Sequence, residues 1–255
     1  MIEERVREDL AASTRFWDIR LLEVTDSTNR VVAELAQAGG DEGIVIATDL
    51  QTAGRGRLDR TWEAEPGAGL LVSLLLRPDG LPMQRWHLVT AAAGLAAKDA
   101  CADVAGVAAD LKWPNDLLWQ GRKLAGVLAE STAGALVAGM GLNVHSCPPG
   151  AAYLDEAAGR RVSRGVLLPS WLRHLDALLD HWDDVAERYR TECATVGRHV
   201  LVEQHGQAIT GFAEAIDDDG RLVVRPDAGE ASEPVAVSAG DVVHVRPGGG
   251  PQHAW

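Results

Sequence analysis

The chain has 255 residues, 46% of them hydrophobic and 24% charged, with a formal net charge of −13, an ordinary globular balance that is long enough for one large unit and a small one. So acidic a chain repels phosphate backbones, and no basic stripe with interleaved aromatics offsets this, so DNA is not an expected partner. No run of about 18 apolar residues could span a bilayer, and the charged start from Met1 to Asp9 lacks the apolar core of a secretory leader, so a cytoplasmic protein without membrane partners is expected.

Cys101, Cys147 and Cys193 lie far apart, a sparse, odd set that suits a reducing compartment better than a disulfide framework. His174 and His181 are seven apart and no Cys-x-x-Cys pair occurs, so no structural zinc is expected. Of the 24 basic residues only Lys98, Lys112 and Lys123 are lysines. Two of them fall in one twelve-residue window.

Along the chain, residues 21–24 read as a short strand. Asp26, Ser27, Thr28 and Asn29 then supply helix-capping side chains ahead of Val31, Val32, Leu35 and Ala36 at helical spacing, and Gly39-Gly40 ends the run. Residues 43–48 and 69–77 are apolar runs bounded by Gly and Pro, which predicts core strands with a Gly- and Arg-rich loop between them. Residues 86–101 are alanine-rich and predict a helix packed closely on a sheet. Strands are predicted over 107–113, 117–119, 124–130 and 136–144, the middle two joined by a turn at 120–122. That is a mixed sheet with hairpins, an α/β (α+β) unit that does not follow simple βαβ alternation. One long amphipathic helix is predicted through Trp171, Leu175, Leu178, Trp182, Val185 and Tyr189, starting between Ser163 and Ser170. Short strands at 199–203, 208–216, 221–225, 234–238 and 242–246 predict a small β-barrel. The units are therefore 1–195 and 196–247, with a disordered tail over 248–255.

Three segments could carry chemistry. Gln51-Thr-Ala-Gly54-Arg55-Gly56-Arg57 follows a strand, where glycines let backbone N–H groups approach an anion and two alternating arginines supply forked cationic donors. A solvated basic turn accounts for it equally well, and the Gly-Lys-Ser/Thr ending of a P-loop is missing. Lys112-Trp-Pro-Asn115-Asp116-Leu117 ends one strand and turns into the next. Pro, Asn and Asp are turn formers in their own right, so the segment alone does not separate a site from a bend. Arg122-Lys123-Leu-Ala-Gly126 begins the return strand, from which Lys123 could reach the same cleft. Gly139-Met-Gly-Leu-Asn143 lacks the third glycine and following helix of a dinucleotide fingerprint.

The order of these elements is the specific signal: Ser-Thr-Asn, Gly-Arg-Gly-Arg, Lys-Trp-Pro-Asn-Asp, Arg-Lys-Leu-Ala-Gly, Gly-x-Gly-x-Asn. In this order, from about Val24 to Val144, the chain resembles the biotin protein ligases, and its β-rich end resembles their small SH3-like domain. The resemblance implies a mixed sheet related to class II aminoacyl-tRNA synthetases. It also implies a two-step reaction in which biotin and ATP, with Mg²⁺, give biotinyl-5′-AMP, and the acyl group then passes to a lysine of a biotin carboxyl carrier protein or domain of an acyl-CoA carboxylase. By that matching Lys123, Arg57 and Arg55 are catalytic. Ser27, Thr28, Asn29, Gln51, Gly54, Arg55, Gly56, Lys123 and Gly126 hold biotin, with 54–56 closing over it. Arg57, Trp62, Asn115, Lys123 and Asn143 hold ATP, and Asp116 is the candidate partner for Mg²⁺.

The family's loop often reads Gly-Arg-Gly-Arg-Arg-Gly, whereas here Leu58-Asp59 replaces the last pair, removing a cation and a flexible residue. About 26 residues precede Ser27, too few for a winged DNA-binding domain, so repression is not expected. A monomer or weak homodimer is. The rival of the same fold is a lipoate or octanoate protein ligase or transferase, whose run of glycines and His-Asp pair are absent from 51–62. A rival of another class is a non-catalytic biotin sensor.

Overall fold

A computed structural model describes residues 4–78, 80–204, 207–227, 233–238 and 241–244. The first unit runs α1 (Glu4–Ser13), β1 (Asp18–Thr25), α2 (Thr28–Gln37), β2 (Ile44–Gln51), β3 (Gly69–Leu76), α3 (His87–Ala105), β4 (Asp110–Lys112), β5 (Asp116–Trp119), β6 (Arg122–Thr132), β7 (Ala135–Asn143), α4 (Leu154–Ala158), α5 (Arg164–Leu178) and α6 (Trp182–Glu192). Its seven strands are ordered β1-β2-β3-β7-β6-β5-β4, parallel only between β1 and β2.

Central β3 is buried at all eight positions, which is why it reads as an unbroken apolar run and not as an alternation. One face of the sheet carries α3, α5 and α6. The alanines of α3, among them Ala92, Ala96 and Ala97, let its backbone come close enough for the Trp171 indole N–H of α5 to donate to the Ala93 carbonyl at 3.1 Å. On the other face α2 covers Ile44, Ile46, Leu75 and Val137 with Val32 and Ala36. Each fully buried branched or leucine side chain contributes roughly 1.5–3 kcal/mol, so both faces of the sheet are firmly seated.

The second unit is β8 (His199–Gln204), β9 (Gln207–Ile216), β10 (Leu222–Pro226), β11 (Val235–Val237) and β12 (Asp241–His244), an antiparallel sheet of order β11-β10-β9-β8-β12. A buried polar chain ties it to the first unit. The Trp113 backbone N–H donates to Thr195 Oγ1 at 3.0 Å, and that hydroxyl meets His244 Nε2 at 3.1 Å.

Three expectations need correction. The single long helix through Trp171 and Tyr189 is two helices, because the chain leaves helical geometry at Leu179 and Asp180 takes a left-handed φ of 77°. The apolar period continues across this break because α5 and α6 pack on the same core. The strand expected over 107–113 shrinks to three residues, and helices α1 and α4 were not foreseen. The tail expected over 248–255, and Val245 and Arg246 of the last expected strand, lie outside the described residues.

Candidate active site

A cleft of about 310 Å³ opens where the start of α2, the loop 51–62, the β5–β6 hairpin and the end of β7 meet. The loop is itself a small hairpin. Trp62 N–H donates to the Gly54 carbonyl at 3.0 Å, Arg55 bridges Thr61, and Arg60 N–H donates to the Arg57 carbonyl at 3.1 Å. Its tip residues Leu58 and Asp59 have φ of 54° and 58°, a type I′ turn whose preferred residues are Asn-Gly. Gly54 is required at its base, because a Cβ there would overlap the Trp62 carbonyl oxygen.

One end of the cleft is a tightly bonded polar floor. Gln51 Oε1 accepts from Thr28 N–H (2.8 Å) and from the Thr28 hydroxyl (3.0 Å). Ser73, the one polar residue of β3 and fully buried, has its hydroxyl oxygen 2.6 Å from both Thr28 Oγ1 and Asn29 Oδ1. These are three oxygen–oxygen pairs, and the two hydroxyls hold two protons between them. Gly139 leaves space for the Asn29 amide, since a Cβ there would overlap Asn29 Oδ1 and lie 2.9 Å from its Cγ.

The other end is cationic. Arg57 Nη1 donates to Asn115 Oδ1 at 3.1 Å, and Asn115 Nδ2 donates to the Val127 carbonyl at 2.7 Å. Lys123 Nζ is 2.7 Å from Asp116 Oδ1 and 5.6 Å from the Trp62 ring centre. Gly126 lies below this pair, with room for no more than a tight Cβ at 3.3 Å from Lys123 Nζ. Asn143 Nδ2 donates to the Ala152 carbonyl at 3.0 Å, while Ala152 N–H donates to the Lys123 carbonyl at 2.8 Å, which pins the backbone that carries Lys123.

The turn between β4 and β5 is braced from behind. The Trp113–Pro114 peptide is cis, the Trp113 indole donates to the Gly220 carbonyl at 2.9 Å, and the Tyr189 hydroxyl donates to the Pro114 carbonyl at 2.9 Å. Burial holds the Tyr189 phenol well above its ordinary pKa, so it remains a donor.

Ser27, Thr28, Asn29, Gln51, Arg55, Gly56, Arg57, Trp62, Asn115, Asp116, Lys123, Gly126 and Asn143 all line this one cleft; Gly54 supports it from below. Lys112, whose place beside Lys123 in sequence drew attention to that window, is not in the lining and lies near His244 instead. Sequence reasoning missed Ser73 and Glu130, and singled out Gly139 and Gly141 as a motif without their packing role. Ser73 carried a usable signal, as a lone hydroxyl in the apolar run Gly-Leu-Leu-Val-Ser-Leu-Leu-Leu.

Residues 21–146 match the Biotin/lipoate A/B protein ligase family, and residues 195–245 match the Biotin protein ligase C terminal domain. The chain is 38% identical to a biotin–[acetyl-CoA-carboxylase] ligase of Mycobacterium tuberculosis over 96% of both proteins. The chain belongs to the biotin protein ligase family. A biotin–[acetyl-CoA-carboxylase] ligase of Paracoccus denitrificans is 33% identical over 85% of this chain and 98% of its own length. Among solved structures, a biotin protein ligase from Aquifex aeolicus in complex with biotin and ATP superposes with a TM-score of 0.78 at 25% identity, covering 91% of this chain and all of that one. In this ligase the Gly-x-Gly of β7 therefore serves close packing, Gly139 under Asn29 and Gly141 under Trp62, and is not a nucleotide fingerprint.

Proposed function

We propose that this chain activates biotin with ATP as biotinyl-5′-AMP and passes the acyl group to a lysine of a biotin carboxyl carrier protein or domain, the acetyl-CoA carboxylase of the relatives' names supplying the acceptor class. In the first step an oxygen of the biotin carboxylate bonds to the α-phosphorus of ATP and the bond to pyrophosphate breaks. In the second, an unprotonated lysine amine attacks the acyl carbon and AMP leaves with the electron pair. Both steps concentrate negative charge, so preorganised cations supply most of the acceleration.

Lys123 is assigned to the carboxylate and α-phosphate oxygens, with Asp116 aligning its ammonium. Arg57, held by Asn115, is assigned to the phosphates, Trp62 to the adenine, and Asn143 to fixing the Lys123 backbone on the ATP side. Arg55 and Gly56 close the loop over biotin, and Ser27, Thr28 and Gln51 receive its ureido ring. Asn29 supports these contacts, because its amide is already bonded to Ser73, Glu130 and the Leu128 carbonyl.

The observation that carries the choice of biotin is the proton count of the floor. Three close oxygen pairs share two hydroxyl protons, which leaves the floor rich in acceptor oxygens for a head group that brings N–H donors, as a ureido ring does. A dithiolane or an alkyl tail brings none, and a site built for a donor discriminates strongly against a ligand that lacks it. The octanoyltransferase alternative also needs a nucleophilic thiolate. Burial pushes Cys101 up to about 12, and raises Cys193 and Cys147 as well.

Among the described residues no three His, Cys, Asp or Glu side chains converge as a metal cage. Asp116 and Glu63 both line the cleft, which fits a Mg²⁺ that brings its oxygen ligands with the nucleotide and borrows one carboxylate, Asp116, from the protein. When bound it would offset phosphate charge. No helix among the described residues is long and apolar enough to cross a membrane. The same reading takes residues 1–195 as the ligase unit and 196–247 as an SH3-like unit, in a cytoplasmic monomer or weak homodimer.

Pyrophosphate exchange into ATP, run with biotin, lipoate and octanoate in parallel, tests this. Exchange with biotin alone is expected. Exchange on lipoate would transfer the chain to the rival ligase class, and biotin binding without exchange would make it a sensor.

A further inference from the structure

The loop over the cleft is tied to the polar floor through one carboxylate that lies outside the cleft lining. Glu130, near the end of β6, pairs through Oε1 with Arg55 Nη2 at 2.9 Å, and its Oε2 accepts from Arg55 Nη1 at 3.3 Å. The same Oε2 accepts from Asn29 Nδ2 at 2.9 Å. Asn29 is buried, and its Oδ1 accepts from the fully buried Ser73, which also touches Thr28. A continuous path thus runs from the ring-binding floor through Ser73, Asn29 and Glu130 to the guanidinium of the loop.

We propose that Glu130 is a positioning residue that latches the 51–62 loop shut through Arg55, and that this latch sets how long the acyl-adenylate stays on the enzyme. The inference rests on the functional reading above. Three observations favour a latch over an incidental surface pair. Glu130 grips Arg55 with both oxygens, the geometry in which a carboxylate holds a guanidinium best. Its carboxylate is oriented by a buried amide that cannot turn away, because Leu128 and Ser73 hold the rest of that amide. And the hairpin it holds has Leu58 and Asp59 in the left-handed region, where Leu in particular is strained, so an external tie favours the closed form.

The path also gives direction to the coupling. A ligand that completes the floor stiffens Thr28, Ser73 and Asn29, and Asn29 then presents Glu130 to the loop in one orientation. Occupancy of the ring site is thus read at Arg55 through the floor as well as through the loop's own contacts with biotin.

The test uses the full-length protein charged with labelled biotin and ATP in the absence of acceptor, and follows release of labelled adenylate after removal of free ligand. Glu130→Gln keeps an acceptor for Asn29 and removes the charge. Release is expected to quicken about tenfold, with pyrophosphate exchange turnover within twofold of wild type. Raising NaCl to about 1 M, where the screening length is near 3 Å, should quicken release from wild type and leave Glu130→Gln almost unchanged. In an Arg55→Gln background Glu130→Gln should add nothing further, whereas a purely structural role would make the two effects multiply. Equal release from Glu130→Gln and wild type, or multiplicative effects in the double variant, would overturn the latch. Failure of wild type to exchange pyrophosphate with biotin would instead remove the functional reading on which it rests.

Discussion

The indole of Trp62 lies flat over Gly141: a Cβ on that glycine would come 2.7 Å from Trp62 Nε1 and 2.8 Å from Cδ2. The loop and the central sheet meet here, and the ring also forms the wall that faces Lys123. Gly141→Ala should displace the ring without disturbing the polar floor. An increase of about tenfold in the KM for ATP, with the KM for biotin within twofold, is expected in exchange assays at saturating co-substrate. A larger effect on biotin than on ATP would place Trp62 on the wrong substrate.

Two residues along β7, Gly139 serves the opposite end of the cleft by making room for Asn29. Its replacement by Ala forces the amide out and breaks its bonds to Ser73, Glu130 and the Leu128 carbonyl, at about 1–3 kcal/mol for each buried group left unsatisfied. The expected result is a biotin KM raised at least tenfold and a lower unfolding temperature. Unchanged biotin binding by calorimetry would remove Asn29 from the support of the floor.

The cleft's cationic end was legible in the sequence because the turn and loop residues that build it are local: Arg57, Asn115, Asp116 and Lys123 each lie in a short motif. Ser73 and Glu130 were overlooked, since they act through pairings 44 and 75 residues long, with Asn29 and Arg55 respectively, and only Ser73 leaves a local trace, as the one hydroxyl in an apolar run. Likewise the Gly-x-Gly of β7 has no local meaning; its glycines answer to side chains from α2 and the loop. The break between α5 and α6 escaped for a related reason, because apolar spacing records which face is buried and not whether the helix is continuous.

Lys123 is expected to matter to chemistry more than to binding. Its ammonium sits 2.7 Å from Asp116 and on the Trp62 face, oriented before substrate arrives, which is the condition for stabilising charge that develops only in the transition state. Lys123→Ala should lower exchange turnover by about 10²–10³-fold, the scale of losing one preorganised donor, while the Kd for biotin rises less than tenfold. Equal losses in both would make Lys123 a binding residue.

The Leu58-Asp59 tip offers a stabilising substitution. Both residues hold positive φ, and Leu58 is 62% exposed with nothing gained from its side chain in the core. Left-handed geometry costs L-residues roughly 1–2 kcal/mol each, less for Asp. Asp59→Gly should relieve about 1 kcal/mol at the tip, raise Tm by about 2 °C, and slow adenylate release. A lower Tm would show that the side chain of Asp59 contributes more than its backbone costs.

The link between the two units should be sensitive to acid. His244 Nε2 meets the hydroxyl of buried Thr195 at 3.1 Å, and Thr195 Oγ1 already accepts from Trp113 N–H, so the hydroxyl proton is directed at a bare imidazole nitrogen. Burial first, then the charges of Lys112 and Arg198, lower the His244 pKa from 6.5 to about 4. Above pH 6.5 the ring is neutral in the folded and the unfolded chain, and contributes no pH dependence. Between 6.5 and about 4 the unfolded chain takes up a proton that the folded chain refuses, so stability from this group falls as pH falls. Below about 4 the folded ring is protonated as well, and its N–H opposes the Thr195 hydroxyl. His244→Gln can offer a neutral acceptor to Thr195 at every pH. Its Tm should therefore decline less steeply than that of wild type between pH 6.5 and 4 and run parallel to it above pH 7, as measured by thermal unfolding across that range. Parallel curves through the acid limb would show that His244 is not the group that loosens the second sheet from the first.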